Sequence, residues 1–214
     1  MKFNYFDFGL FRGVEMGWMN EYLLPSLGIK NYHIYGFEAC GRYAENLRKK
    51  YTNDDKVTIL NKAIAEKAGK VKLYYAENAV GHSIFSTKNN VSKNYEEVEG
   101  IVFSEWLKKN IPDFESSFNV IKVNIEGAEW FLFNDIIKNN LNKHIKIYCG
   151  QGHDVEKIGE LENKVADYYK LLEENKIHLY RWTEWKPQKN DNIRDIIIKE
   201  AKKIIEENKS RGEI

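Results

Sequence analysis

The polar residues most able to do chemistry stand where glycine-rich turns follow apolar segments. The sequence Asp7-Phe8-Gly9-Leu10-Phe11-Arg12-Gly13 ends one such segment and has the pattern D-x-G-x-x-x-G. Glycines in a turn of this kind let the backbone approach a ligand, and a helix that begins there offers unpaired N–H groups. The pattern indicates either a ligand-binding loop built on Asp7, Gly9 and Gly13 or a tight structural turn without a ligand.

An acidic side chain ends the next apolar segment. Glu38 follows residues 32–37 and stands 25 positions beyond Gly13. A carboxylate at the end of a second strand can accept hydrogen bonds from both hydroxyls of a ribose. Taken with the first turn, Glu38 predicts a nucleotide-like cofactor, and a solvated carboxylate at a strand end is the alternative.

Two more clusters of polar residues follow later apolar segments. Residues 121–129 read Ile-Lys-Val-Asn-Ile-Glu-Gly-Ala-Glu, and residues 149–153 read Cys-Gly-Gln-Gly-His. Glu126 could bind a substrate or act as a general base, or it could cap the next helix. Glu129 is expected to favour the first turn of that helix through the helix dipole. His153 is a second candidate base, since histidine works as one at neutral pH, or a loop histidine with its hydrogen bonds satisfied.

Strands that alternate with helices must position these residues. Hydrophobic spacing and turn residues predict seven strands at 2–8, 32–38, 57–60, 71–75, 119–125, 145–149 and 177–182. Helices are predicted between them, except that a turn at 67–70 joins the third strand to the fourth. Residues 76–100 show little periodicity and predict a long loop, a candidate lid or acceptor-binding segment. The expected fold is α/β: a Rossmann-like, doubly wound, mostly parallel sheet that binds ligands at the carboxyl ends of its strands.

The chain is expected to form one domain, residues 1–186, with a helical extension at 187–214. Isoleucines recur at helical spacing beyond Pro187, with charges of both signs between them. This amphipathic helix is expected to pack either on the domain or on a second subunit of a homodimer. Trp182 and Trp185 just before it are expected in the core or an interface, with stacking on a sugar as the alternative.

Composition excludes several classes of partner. With 33 basic and 32 acidic residues the net charge is +1, which provides no overall field for nucleic acid or an anionic membrane. Uncharged stretches never exceed ten residues, whereas a membrane span needs roughly 20 apolar ones. The N-terminus has no secretion-signal pattern, which favours a cytoplasmic location. Cys40 and Cys149 are expected to be buried free thiols, and no metal site is predicted.

Four segments in order resemble the FkbM-type S-adenosylmethionine-dependent methyltransferases, over roughly residues 5–153. Residues 121–129 are the most specific, since the family shows I-K-x-D-x-E-G-x-E there and this chain differs by Asn124 in place of Asp. In the first loop, Leu10-Phe11 replaces the family's Ala-Asn. The matching segments are 7–13, 35–39, 61–64 with 69–73, and 121–129; residues 82–84 resemble a small polar element of the family.

The resemblance implies S-adenosyl-L-methionine as cofactor and methylation of a hydroxyl on a sugar or glycan. It implies cofactor contacts from Asp7, Gly9 and Gly13 at the amino-acid end, Glu38 at the ribose, and Asn61 and Ala63 beside the adenine. Asn124 would contact the cofactor and, with Glu126, face the methyl group, so the candidate catalytic residues are Glu126, His153 and Asn124. An activated methyl group needs mainly an oriented acceptor and removal of a proton, not a metal.

Other functions stay open at this point. The acceptor could instead be a small metabolite or an amide nitrogen. The altered first loop and Asn124 would also suit a non-catalytic module that keeps the fold and binds a glycan or a partner. A nicotinamide-dependent oxidoreductase is less favoured because a strict G-x-G-x-x-G is absent, and the balanced charge disfavours an RNA methyltransferase.

Overall fold

The computed structural model describes residues 1–78, 80–181 and 193–210. The strands are β1 (Phe3–Phe8), β2 (Tyr32–Phe37), β3 (Val57–Leu60), β4 (Ala63–Ile64), β5 (Gly69–Ala76), β6 (Val91–Ile101), β7 (Phe118–Val123), β8 (Ile145–Gly150) and β9 (Leu179–Tyr180). The α-helices are α1 (Val14–Trp18), α2 (Leu24–Ser26), α3 (Gly41–Lys50), α4 (Phe103–Asn110), α5 (Glu129–Lys138), α6 (Val165–Glu174) and α7 (Ile193–Ser210). A π-helical stretch, Met19–Leu23, joins α1 to α2.

Six strands form a central sheet in the order β3-β2-β1-β7-β8-β9, and the neighbouring strands pair in parallel. β1 lies between β2 and β7, with Phe3 beside both Tyr32 and Phe118. Strands buried on both faces need apolar residues in nearly every position, as in β7. The α/β class with a parallel central sheet is therefore confirmed, and the order is compatible with a Rossmann-like fold. The order reverses beside β1, which opens a crevice at the carboxyl ends of β1 and β7.

Helices cover both faces of this sheet. α4, α5 and α6 pack on the face that carries Phe6 and Phe8 of β1. α1, α2, α3 and α7 pack on the opposite face, which carries Tyr5. Ile197 of α7 is fully buried in that second cluster, so the C-terminal helix packs on the domain itself. A homodimer stays a prediction.

A second, smaller sheet has the order β4-β6-β5, with β5 and β6 antiparallel. Residues 91–101 of the predicted loop thus form β6, because Glu97 and Glu99 alternate with the buried Val98 and Gly100 and leave one face for the core. What remains between β5 and β6 is a shorter connection. We call its residues 80–90 the cap segment.

Cys40 and Cys149 are free and buried, as predicted. In the described part of the chain, no helix is both long and apolar enough to cross a bilayer. Trp182, Trp185 and Pro187 lie outside the described residues.

Candidate functional site

A cleft lies at the carboxyl ends of β1, β2 and β7, where the strand order reverses. It holds about 780 Å³ of empty space, its open mouth included. Its walls come from the loop after β1, the end of β2, β4, the loop after β7 and the cap segment, and they include Gly9, Phe11, Glu38, Ala63, His82, Asn124 and Glu126.

Gly9 allows the loops after β1 and β7 to touch. Its φ of +86° is in the left-handed region, and a Cβ there would lie 1.8 Å from the Asn124 carbonyl oxygen. The Gly9 N–H donates to the Phe37 carbonyl (2.9 Å), and the Asn124 N–H donates to the Phe8 carbonyl (2.9 Å). The turn after β1 is therefore tied to β2 and β7 by backbone contacts that a side chain at position 9 would displace.

Glu38 is one of two acidic residues that line this cleft, and it is only 8% exposed. Its carboxylate accepts the N–H of Phe11 (2.7 Å) and the N–H of Cys40 (2.8 Å), which links the turns after β1 and β2. Burial raises the pKa of Glu38, although these two hydrogen bonds act to lower it. A carboxylate accepts about four hydrogen bonds, so it can also bind ligand hydroxyls.

Asp7 lies beneath the turn and does not line the cleft. Its carboxylate is fully buried, 2.9 Å from the Lys122 ammonium, which also donates to the Gly9 carbonyl (2.7 Å). Burial raises the pKa of Asp7 to about 7 against the opposing effect of Lys122. Burial alone would lower the pKa of Lys122, but Asp7 and Glu15 raise it. This pair supports the turn from below.

Of three further residues predicted to contact the cofactor, one lines the cleft and two lie outside its lining. Ala63 lines the cleft. Asn61 donates to the carbonyls of Glu38 (3.0 Å) and Ala39 (2.8 Å), which fixes the end of β2. Gly13 precedes α1 with φ +69°, and a Cβ there would lie 2.7 Å from Leu47, so its glycine is explained by packing of α1 on α3. Asn61 and Gly13 shape the cleft without lining it.

Glu126 lines the cleft in an unusual backbone conformation. Its φ of +56° is costly for a residue with a side chain. The fully buried Glu129 holds this turn, because its carboxylate accepts the N–H groups of Ile125 (2.9 Å) and Gly127 (2.6 Å). Burial, together with repulsion from Asp154, raises the pKa of Glu129 to about 7. Glu129 therefore fixes the loop as well as beginning α5.

Two side chains of the cap segment contact Glu126. The Ser83 hydroxyl donates to the Glu126 carbonyl (2.7 Å), and the Lys88 ammonium lies 3.0 Å from Glu126 Oε2. Ser83 belongs to the small polar element noted in the sequence, whereas Lys88 carried no signal there. A lysine in a polar stretch is usually solvated.

His82 is the histidine that lines the cleft. The Ala76 N–H donates to its Nδ1 (2.9 Å), so the proton of the neutral ring is on Nε2. Burial and the nearby Arg42 lower the pKa of His82 and keep the ring neutral. His82 therefore offers a hydrogen-bond donor and not a base.

The lining of the cleft combines two carboxylates with apolar surface. Glu38 and Glu126 are its two carboxylates, while Lys62 in its wall already pairs with Glu99. Phe11, Phe37 and other apolar side chains form much of the rest. Comparisons with protein-family models, curated proteins and solved structures gave no match, so the resemblance to FkbM-type methyltransferases stays a prediction.

His153 is not among the residues that line the cleft. Its side chain is 51% exposed and lies 3.9 Å from Asp154, so the geometry gives no support to its predicted role as a base. Among residues 1–78, 80–181 and 193–210, His, Cys, Asp and Glu form no group of three that could hold a metal ion.

Proposed function

We propose that the protein is an S-adenosyl-L-methionine-dependent methyltransferase with a Rossmann-like fold, acting on a hydroxyl of a sugar or glycan. The observation that carries this proposal is the buried Glu38 in a cleft at the reversal of strand order, flanked by the close approach of Gly9 to Asn124. Open α/β sheets bind nucleotide cofactors at this place.

The residues of the cleft fit such a cofactor. Glu38 would accept the ribose hydroxyls, and Ala63 would lie beside the adenine. The amino-acid end would lie along Gly9, whose turn is supported by Asp7. Glu38 and Glu126 both line the cleft, and Glu126 already pairs with Lys88, whereas the pyrophosphate of a dinucleotide would need cationic partners.

Once bound, the cofactor supplies an activated methyl group, and the protein has to orient the acceptor. Glu126, which lines the cleft, would accept the hydrogen bond of the acceptor hydroxyl. His82 would donate from Nε2 to a second oxygen of the acceptor. Orientation of this kind accounts for much of the rate in group transfer.

A non-catalytic binding module is the second candidate, and Phe11 favours it. Phe11 has φ +50° and lines the cleft, and its ring lies 4.9 Å from the Tyr43 ring. A module of this kind would bind the cofactor product yet transfer no methyl group to any acceptor in a panel of sugars and small alcohols. Methyl transfer from labelled cofactor to one of them would exclude it.

Calorimetry with S-adenosylhomocysteine tests the leading proposal. The wild-type protein is expected to bind one equivalent, with Kd on the order of micromolar. Glu38→Gln should weaken binding about tenfold or more, since one hydrogen bond to a charged group is worth about 1.5–3 kcal/mol. Glu45→Gln, on the exposed face of α3, is the matched control and should bind as the wild type does. The proposal fails if a folded wild-type sample gives no binding heat at millimolar ligand.

A further inference from the structure

Lys88 of the cap segment is a buried lysine outside the residues that line the cleft. Its side chain is only 2% exposed, and an ammonium in such a place is costly unless polar partners surround it. The backbone of Lys88 also forms an isolated antiparallel bridge with Ile158. The lysine is therefore held in one position from both its main chain and its side chain.

Three oxygen atoms surround the Lys88 ammonium. It donates to the Gly81 carbonyl (3.0 Å) and to Asn90 Oδ1, and it lies 3.0 Å from Glu126 Oε2. An ammonium has three N–H groups, so these partners leave none for a ligand. Lys88 can act on a ligand only through Glu126.

Glu126 is oriented by this contact. Oε2 faces Lys88. The Glu126 side chain is 20% exposed and lines the cleft. The ion pair thus fixes one oxygen of a cleft-lining carboxylate and balances its charge.

We propose that Lys88 is a positioning residue that balances the charge of Glu126 beside the reacting methyl group. This inference rests on the proposed methyltransferase function. In the transfer, the acceptor oxygen forms a bond to the methyl carbon, and the C–S bond breaks with its electron pair going to sulfur. The hydroxyl proton passes to Glu126 Oε1 and then to solvent.

The charge balance matters because the reaction disperses a cation. The sulfonium charge is concentrated before transfer and spread over donor and acceptor in the transition state. An unbalanced carboxylate would bind the cation more tightly than the transition state and so slow the reaction. With Lys88 in place, Glu126 can accept the hydrogen bond of the acceptor hydroxyl without adding an unbalanced negative charge beside the sulfonium.

The cofactor and its product form a matched probe of this charge, since S-adenosylmethionine is a sulfonium cation and S-adenosylhomocysteine lacks that charge. The measurement is the ratio of their Kd values by calorimetry. Lys88→Met should change this ratio at least threefold in favour of tighter relative binding of S-adenosylmethionine. Lys88→Arg keeps the positive charge and should give a ratio within twofold of the wild type. Lys93→Met, exposed on β6, is the control and should leave the ratio unchanged.

Glu126→Gln provides a second, independent test that keeps Lys88. It leaves the Lys88 ammonium without its carboxylate partner, so the ratio of Kd values should change at least threefold in favour of tighter relative binding of S-adenosylhomocysteine. Thermal melts and circular dichroism check that each variant is folded. If both ligands bind but neither Lys88→Met nor Glu126→Gln moves the ratio, the role of Lys88 is overturned while the proposed function stands. If neither ligand binds the wild type, the proposed function itself is wrong.

Discussion

Replacing Gly9 by alanine tests the contact that forms the floor of the cleft. Two costs combine at this position. Alanine in the left-handed region costs about 1–2 kcal/mol. In addition, the new Cβ would lie 1.8 Å from the Asn124 carbonyl oxygen, whereas ordinary contact begins at 3.4 Å. The loops after β1 and β7 would have to separate by about 1.6 Å, the difference between those distances.

That separation breaks named hydrogen bonds. The Gly9 N–H to Phe37 bond and the Asn124 N–H to Phe8 bond are both at stake, at roughly 1 kcal/mol each. The expected loss in the free energy of unfolding is about 3–5 kcal/mol in urea denaturation. Binding of S-adenosylhomocysteine should be lost as well, because the turn that would receive it has moved.

Gly28→Ala is the matched control for the backbone term. Gly28 has φ +71°, but a Cβ there would meet nothing within 4 Å. This variant should lose only about 1–2 kcal/mol. If Gly9→Ala and Gly28→Ala differ by less than about 1 kcal/mol, the close approach of the two loops carries no energetic weight and the reasoning is refuted.

Three further predictions concern buried residues that do not line the cleft. Because burial raises the pKa of Asp7 and Glu129 to about 7, the folded protein binds more protons than the unfolded chain between about pH 4 and 7, and its stability should fall as the pH rises through that window. Glu129→Gln should flatten this slope in urea unfolding at pH 5, 6 and 7; an unchanged slope would contradict the assignment. Lys122→Met should lower the free energy of unfolding by about 3–5 kcal/mol, because it leaves the Asp7 carboxylate without its buried partner. Adding Asp7→Asn to this variant should recover part of that loss. Additive losses from the two substitutions would argue against the ion pair. Ile197→Ala should lower the free energy of unfolding by about 2–4 kcal/mol if α7 packs on the domain. The control Lys199→Ala changes an exposed residue of α7 and should stay within about 0.5 kcal/mol of the wild type. Equal losses for the two variants would refute that packing.

Local patterns were enough to predict the central sheet and the strand ends that build the cleft. The turn at Gly9, the carboxylate of Glu38 and the polar run at Asn124 each follow a buried strand, and parallel strands bring their carboxyl ends to one edge. Those three positions could therefore be grouped from the sequence.

The second sheet and the cap contact were not predictable in the same way. β6 alternates glutamates with small or branched residues, which looks polar without knowledge of the face it covers. The burial of Lys88 depends on Glu126, 38 positions later, and such a pairing has no local signature. His153 follows a strand that ends at the same edge of the sheet, but its side chain is 51% exposed beside Asp154 and His153 does not line the cleft.

A crystal structure with S-adenosylhomocysteine bound tests the central claim most directly. It should show the ribose hydroxyls on the Glu38 carboxylate, the amino-acid end along Gly9 and the sulfur directed towards Glu126. Electron density for the ligand elsewhere on the protein, or an empty cleft in crystals grown at saturating ligand, would contradict the account.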